Sequence, residues 1–186
     1  MQLDNLKKAL EVFRDQVVEE SKKNLRKDGK GGGNLANSIQ GTDVKLTERS
    51  LQFEIQMANY GTFQDLGVKG KNPSKLSPNA RITGQQAPNS PYKFGTGSTR
   101  NWQGFKRNIK EWAKRKNIRF RDKKGKFKKG NYDSIAYIIA TNILNRGIRP
   151  SLFFTKPFLK YSKDLPNELE QAFALDAEQF LEFVTK

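Results

Sequence analysis

Residues 51–57 read LQFEIQM, and no other stretch of the chain alternates so cleanly. Leu51, Phe53, Ile55 and Met57 fall on one side of an extended chain, and Gln52, Glu54 and Gln56 on the other. Successive side chains of a strand point to opposite faces, so this pattern predicts a half-buried antiparallel strand. A turn at Thr47-Glu48-Arg49-Ser50 precedes it, which makes residues 43–47, with Val44 and Leu46, its expected hairpin partner.

Around that hairpin the periodicity changes to that of helices. Leu3, Leu6, Leu10, Phe13 and Val17 recur at three- and four-residue steps and predict a helix over residues 4–26, with Asp4 as its N-cap. The segment ends in a lysine- and glycine-rich run at 27–33, where three successive glycines cannot hold a helix. Trp102, Phe105, Ile109 and Trp112 are spaced as a core-facing helical stripe running to about Lys116. Ile135, Ile138, Ile139, Ile143 and Leu144 form a further apolar face, closed by Gly147 and Pro150. A last helix carries Leu165, Leu169, Phe173, Phe180, Leu181 and Val184 on one side. It is acidic, with Asp164, Glu168, Glu170, Asp176, Glu178 and Glu182. Residues 67–99, with Pro73, Pro78, Pro88 and Pro91, read as a long loop of the kind that is usually functional or disordered. No internal repeat is present. The expected architecture is one α+β domain over residues 1–186. In it a small antiparallel sheet packs with an N-terminal helix and two C-terminal helices, and a loop and basic helical arm are inserted at about 71–131.

Composition narrows the chemistry. The 186 residues include no cysteine and no histidine, so disulfides, thiolate metal sites and Ser-His-Asp or Cys-His catalysis are excluded. An enzyme would have to run on carboxylates, Lys, Tyr or a Ser-Lys pair, and no catalytic role, metal or cofactor is expected. Net charge is +16, which predicts an anionic partner surface, whether nucleic acid, an acidic protein face or anionic lipid. The longest apolar run, near Ile135, is too short to span a bilayer, and MQLDNLKKAL does not read as a signal peptide, so a soluble protein is expected.

The charge is concentrated. Residues 106–129 hold thirteen bases against Glu111 and Asp122. The bases considered for partner or DNA contact are Lys106, Arg107, Lys110, Lys114, Arg115, Arg119, Arg121, Lys123, Lys124, Lys126, Lys128 and Lys129. Interleaved aromatics (Phe120, Phe127) would suit phosphate contact with base stacking, whereas the bland alternative is a solvated face. The run RFRDKKGKFKK at 119–129 predicts an exposed arm, a hairpin turning at Lys124-Gly125.

Three other stretches were weighed. GVKGKNPS (67–74) lacks the glycine spacing of a phosphate loop, and FGTGST (94–99) is an ordinary glycine turn. Glu20-Ser21-Lys22 matches a fragment of metal-dependent nuclease motifs, but it lies on a helix, where positions two apart diverge.

Four pieces, in order, resemble the tail-completion or head–tail joining (neck) proteins of tailed bacteriophages, of the lambdoid minor tail protein type. They are GNLANSI at 33–39, the strand leading into YGTFQDLGVKG at 60–70, KEWAKRKNI at 110–118, and GIRPSLFFTKPFLKY at 147–161. The matching positions are Leu35, Ser38 and Ile39; Phe63, Asp65 and Gly67; and Pro150, Pro157, Phe158 and Leu159. Gly61 and Gly67 would permit backbone angles barred to other residues, Asp65 would cap or bridge, and Phe63 would anchor the turn to the core. The resemblance implies a non-enzymatic α+β subunit assembling as a ring, a hexamer or dodecamer, between the portal or connector and the tail. It implies a place in the virion neck or upper tail, and in the host cytoplasm during assembly, with DNA in the channel as a further contact and no membrane. The alternative from charge alone is a stand-alone basic nucleic-acid-binding protein.

Overall fold

The computed structural model describes residues 3–29, 33–47, 50–73, 84–95, 101–122, 124–127 and 131–185. Glu48, Arg49, Lys123, Lys128 and Lys129, and most of FGTGST, lie outside these. The described residues form an α+β fold that divides into two compact units, residues 1–65 with 152–186, and residues 66–151. The chain thus leaves the first unit after Asp65 and returns to it at Leu152.

In the first unit, α1 (Asp4–Lys27) buries Phe13, Val17, Val18, Ser21 and Leu25. The short helix α2 (Asn34–Ser38) adds Leu35 and Ala36, and the core closes around Leu25, Leu35, Ile39 and Phe153. Strands β1 (Gln40–Gly41), β2 (Lys45–Leu46), β3 (Leu51–Gln52) and β4 (Ile55–Gln56) follow. The alternation of 51–57 is borne out, since Leu51, Phe53, Ile55 and Met57 are half-buried and the three residues between them exposed.

The hairpin is broken in two. β1 pairs antiparallel with β4 through Gln40 opposite Gln56, and β2 with β3 through Lys45 opposite Gln52. Thr42 N–H donates to Glu54 O at 2.8 Å. Asp43 and Val44 therefore stand against Phe53 alone, one residue too many on the first strand, as in a β-bulge. The extra residue allows Val44 to turn inward, where it is buried. Instead of one small sheet, the described residues hold three separate two-stranded pairs.

After α3 (Gly61–Leu66) the chain enters the second unit through β5 (Val68–Lys69). There α4 (Trp102–Arg115) packs on α5 (Tyr132–Arg146), which buries Ile135, Ala136 and Ala140. β6 (Gly147–Ile148) pairs antiparallel with β5. Part of the long loop is well tied: the Gln85 side chain brackets Gly70, accepting from its N–H at 2.7 Å, and Lys69 N–H donates to Tyr92 O. Trp102 and Phe105 are half-buried, but Trp112 is 39% exposed and departs from the expected core stripe, leaving Ala113 as the buried residue of that turn.

Back in the first unit, α6 (Thr155–Tyr161) and α7 (Leu165–Val184) complete the chain. The expected apolar face of α7 is packed only toward its start, where Leu165 and Leu169 are half-buried. Ala172 and Asp176 are buried, while Phe173, Phe180, Leu181 and Val184 are exposed. Leu165, Leu169, Ala172 and Asp176 follow one another at three- and four-residue steps and form the more buried line of the helix. No helix among the described residues is long and apolar enough to cross a membrane.

Candidate joint and interaction surfaces

Among the helices of the first unit that start without a side-chain cap of their own, α1 and α6 borrow one. The expected Asp4 cap is absent: Leu3 holds the N-cap position of α1, and Phe154 that of α6, and neither supplies a side-chain hydrogen bond. The first N–H groups of a helix have no partner within it and carry the positive end of its dipole, so they call for an acceptor, preferably anionic. In both cases a buried carboxylate from elsewhere in the chain supplies it.

Asp65, 4% exposed, serves α6. Its Oδ1 accepts from the N–H of Phe154 (2.8 Å) and of Thr155 (3.3 Å), and its Oδ2 accepts a short bond from the Thr155 hydroxyl. Its own carbonyl accepts from Leu152 N–H at 3.0 Å. This is the bridging role expected of Asp65. Phe63 is 41% exposed, and the segment that carries it is a short helix rather than a turn. Gly61 has no positive φ. A Cβ there would come within 2.5 Å of Met57 Sδ and 3.0 Å of Leu35 Cδ1, so those side chains would have to shift to admit one. Gly67 fits the expectation, with φ of 72°. A Cβ on it would lie 2.4 Å from Ile148 O and 2.9 Å from Pro150 Cδ.

Asp176, 1% exposed, serves α1. It accepts from the N–H of Asn5 and of Leu6, both at 3.0 Å, and from the Asn5 side-chain amide at 2.8 Å. Burial alone would raise its pKa, but the bonds from Asn5 and Leu6 outweigh it and hold the carboxyl below its ordinary value. Sequence reasoning placed Asp176 among the acids of the last helix. The one available signal was its position four residues after Ala172, on the line that packs.

The other motif residues are structural. Leu35 and Ile39 are buried, the Ser38 hydroxyl donates to Leu35 O and accepts from Ala58 N–H, and Pro157 is buried. Phe158 stacks on Phe154 (centroids 5.9 Å apart) and meets Phe13 edge-on, while Leu159 is 56% exposed. Pro150 is half-buried. The Glu20-Ser21-Lys22 fragment is structural too, for the Ser21 hydroxyl is buried and donates to Val17 O.

The basic segment falls into two parts. On α4, Arg107, Lys114 and Arg115 are exposed, as is Lys116 just after it, and Lys106 is half-buried. Lys110 pairs with Asp133 at 2.7 Å, which lowers the Asp133 pKa, and Lys114 pairs with Glu111 at 3.0 Å. Beyond Lys116 the chain turns back at Lys124-Gly125, as expected, with Arg121 bridged antiparallel to Phe127 and Gly125 at φ of 80°. Asp122 pins this turn: one carboxylate oxygen accepts from Lys124 N–H and Lys126 N–H, both at 2.9 Å. Arg121 lies over the Phe127 ring at 4.3 Å and Arg119 at 5.8 Å, so guanidinium groups occupy the ring otherwise free to stack on a base. Arg119, Arg121, Lys124 and Lys126 are exposed.

The two units differ in charge. Residues 66–151 hold twenty-one Lys and Arg against three Asp and Glu, a net +18, while the rest of the chain holds fourteen against sixteen, a net −2. No family model, curated protein or solved structure matches the chain.

Proposed function

We propose that the chain is a structural virion protein of a tailed bacteriophage, acting in tail completion or head–tail joining at the neck, and assembling there as a ring. The observation that carries this reading is the convergence, inside the first unit, of residues from three of the four stretches that resemble that family. Leu35 and Ile39 of the first stretch pack with Phe153 of the last. Asp65 of the second holds the start of α6 in the last. The stretches thus act as joints of one fold, which is the part bland side chains can play in a subunit whose work is shape.

The test is assembly. The purified chain is expected to self-associate in light scattering and to form rings in negative-stain images. In a phage, its loss is expected to leave DNA-filled heads without joined tails. A chain that stays monomeric at all concentrations and binds neither connector nor tail-tube proteins would overturn the proposal. The exposed bases of α4 and its hairpin favour a second reading, nucleic-acid binding. That reading requires tight, steeply salt-dependent binding to DNA or RNA, and negligible binding near physiological salt would remove it.

A further inference from the structure

α7 is longer than the surface it covers. Asp176 meets the first residues of α1, and the groove on the N-terminal side of α7 is lined by Glu168, Gln171 and Ala172 against Asn5, Ala9 and Val12. The two helices therefore run antiparallel, and the eight residues after Asp176 continue past the start of α1. At 1.5 Å per residue this is an overhang of roughly 12 Å. It carries Phe180 (42% exposed), Leu181 (60%), Phe183 (82%) and Val184 (61%). Phe180, Phe183 and Val184 form one stripe at three- and four-residue spacing, and Glu178, Leu181 and Glu182 form the next. Four large apolar side chains gathered on one helix end are a surface awaiting a partner.

The charges beside them select it. A symmetric contact of α7 with α7 would press Glu178 and Glu182 against their own copies, which repel. The second unit offers the complement. At the end of α4, the exposed Trp112 lies three residues before Arg115 and four before Lys116, the residue that caps the helix, within the unit of net +18. We infer that the acidic, aromatic end of α7 docks on the Trp112–Arg115–Lys116 face of a second copy of the chain. Two different patches then meet in each contact, so the interface is head-to-tail and propagates until a ring closes. The inference rests on the proposed function only in taking the chain to self-associate.

Two charge-reversal variants test it, E178K/E182K on α7 and R115E/K116E on α4, with unchanged circular dichroism as the check of folding. Analytical ultracentrifugation should show wild-type association that weakens with salt and falls about tenfold or more in each variant alone. Mixed, the two variants should regain association, because each reversed patch then meets a patch of opposite charge on the other variant. F183S, at a side chain almost fully in solvent, supplies the same loss without a charge change. If R115E/K116E alone associates as well as wild type, α7 does not use that face and the inference fails. If E178K/E182K and F183S both associate normally, α7 is not the interface. A wild-type chain that never associates would overturn the assembly reading together with this one.

Discussion

Replacing Asp176 by Ala should destabilise the first unit severely, although Asp176 lies in the most acidic helix of the chain and eight residues from that helix's end. The substitution strips the start of α1 of its only side-chain acceptor, leaving the N–H groups of Asn5 and Leu6 and the Asn5 amide without it. Loss of a helix N-cap costs about 1 kcal/mol, within a range of 0.5–2. Hydrogen bonds to a charged group contribute about 1.5–3 kcal/mol each, reduced here because water can reach donors at a helix end. Together these give about 3 kcal/mol, or a fall in Tm of roughly 6–12 °C for a chain of this size. Asp176→Asn keeps one acceptor oxygen and should lose about half as much. Thermal and urea unfolding, followed by circular dichroism, measure both, with Glu178→Ala as a surface control within about 0.5 kcal/mol of wild type.

The same carboxylate gives a pH signature. Its folded pKa lies below its unfolded one, so its contribution is complete above the ordinary Asp value of about 3.9 and is lost as pH falls through the lowered folded value. Wild type should therefore lose stability in acid more steeply than Asp176→Asn. An Asp176→Ala protein within about 0.5 kcal/mol of wild type, or an acid limb unchanged in Asp176→Asn, would refute the tertiary cap.

Asp65→Ala should cost about 2–4 kcal/mol, since it orphans the Phe154 and Thr155 N–H groups, while Asp65→Asn, which keeps an acceptor for them, should cost clearly less; urea midpoints compare the two. Gly67→Ala combines a left-handed backbone with a Cβ driven into Ile148 O and should lose about 3 kcal/mol, read by thermal unfolding. Phe53→Asp charges a half-buried position whose ring meets Phe13 edge-on at 6.2 Å. It should lower stability by roughly 2 kcal/mol and leave a folded protein, as one-dimensional NMR dispersion would show. Changing Arg119, Arg121, Lys124 and Lys126 to Gln should leave Tm within about 2 °C. It should flatten the salt dependence of whatever anionic partner the hairpin contacts, measured by titration across salt concentrations.

The local periodicities were legible because each depends on neighbours in sequence. Residues 51–57 alternate as read, the bounds of α1 and the end of α4 fall within a residue, and the hairpin turns where Gly125 supplies positive φ. What was not legible depends on a second segment. The bulge at Asp43-Val44 appears only once Thr42 is seen opposite Glu54. Asp4 has the residue type of an N-cap, yet the helix start is closed by a carboxylate 171 residues away. The stretch around Phe63 reads as a turn by its glycines, but residues 61–66 close into a short helix. The stripe on α7 is covered only toward its start, at Leu165 and Leu169, because spacing reveals that residues share a face and says nothing of how far that face is covered.

Carboxylates illustrate the same limit and bear on function. Asp176 and Glu178 stand two residues apart on one helix, yet one is sealed against helix N–H groups and the other faces solvent beside Leu181. Buried acids of the first kind hold the joints of the first unit. Acids of the second kind have no structural work there, and they sit with four exposed apolar side chains. A protein built only to bind nucleic acid has a use for the net +18 of the second unit but none for an acidic, aromatic helix end, which phosphates would repel. A subunit that meets its neighbour head-to-tail needs both: two unlike patches of opposite charge, each with an apolar centre. That requirement accounts for the separation of charge between the units and for the large apolar side chains left in solvent at the end of α7.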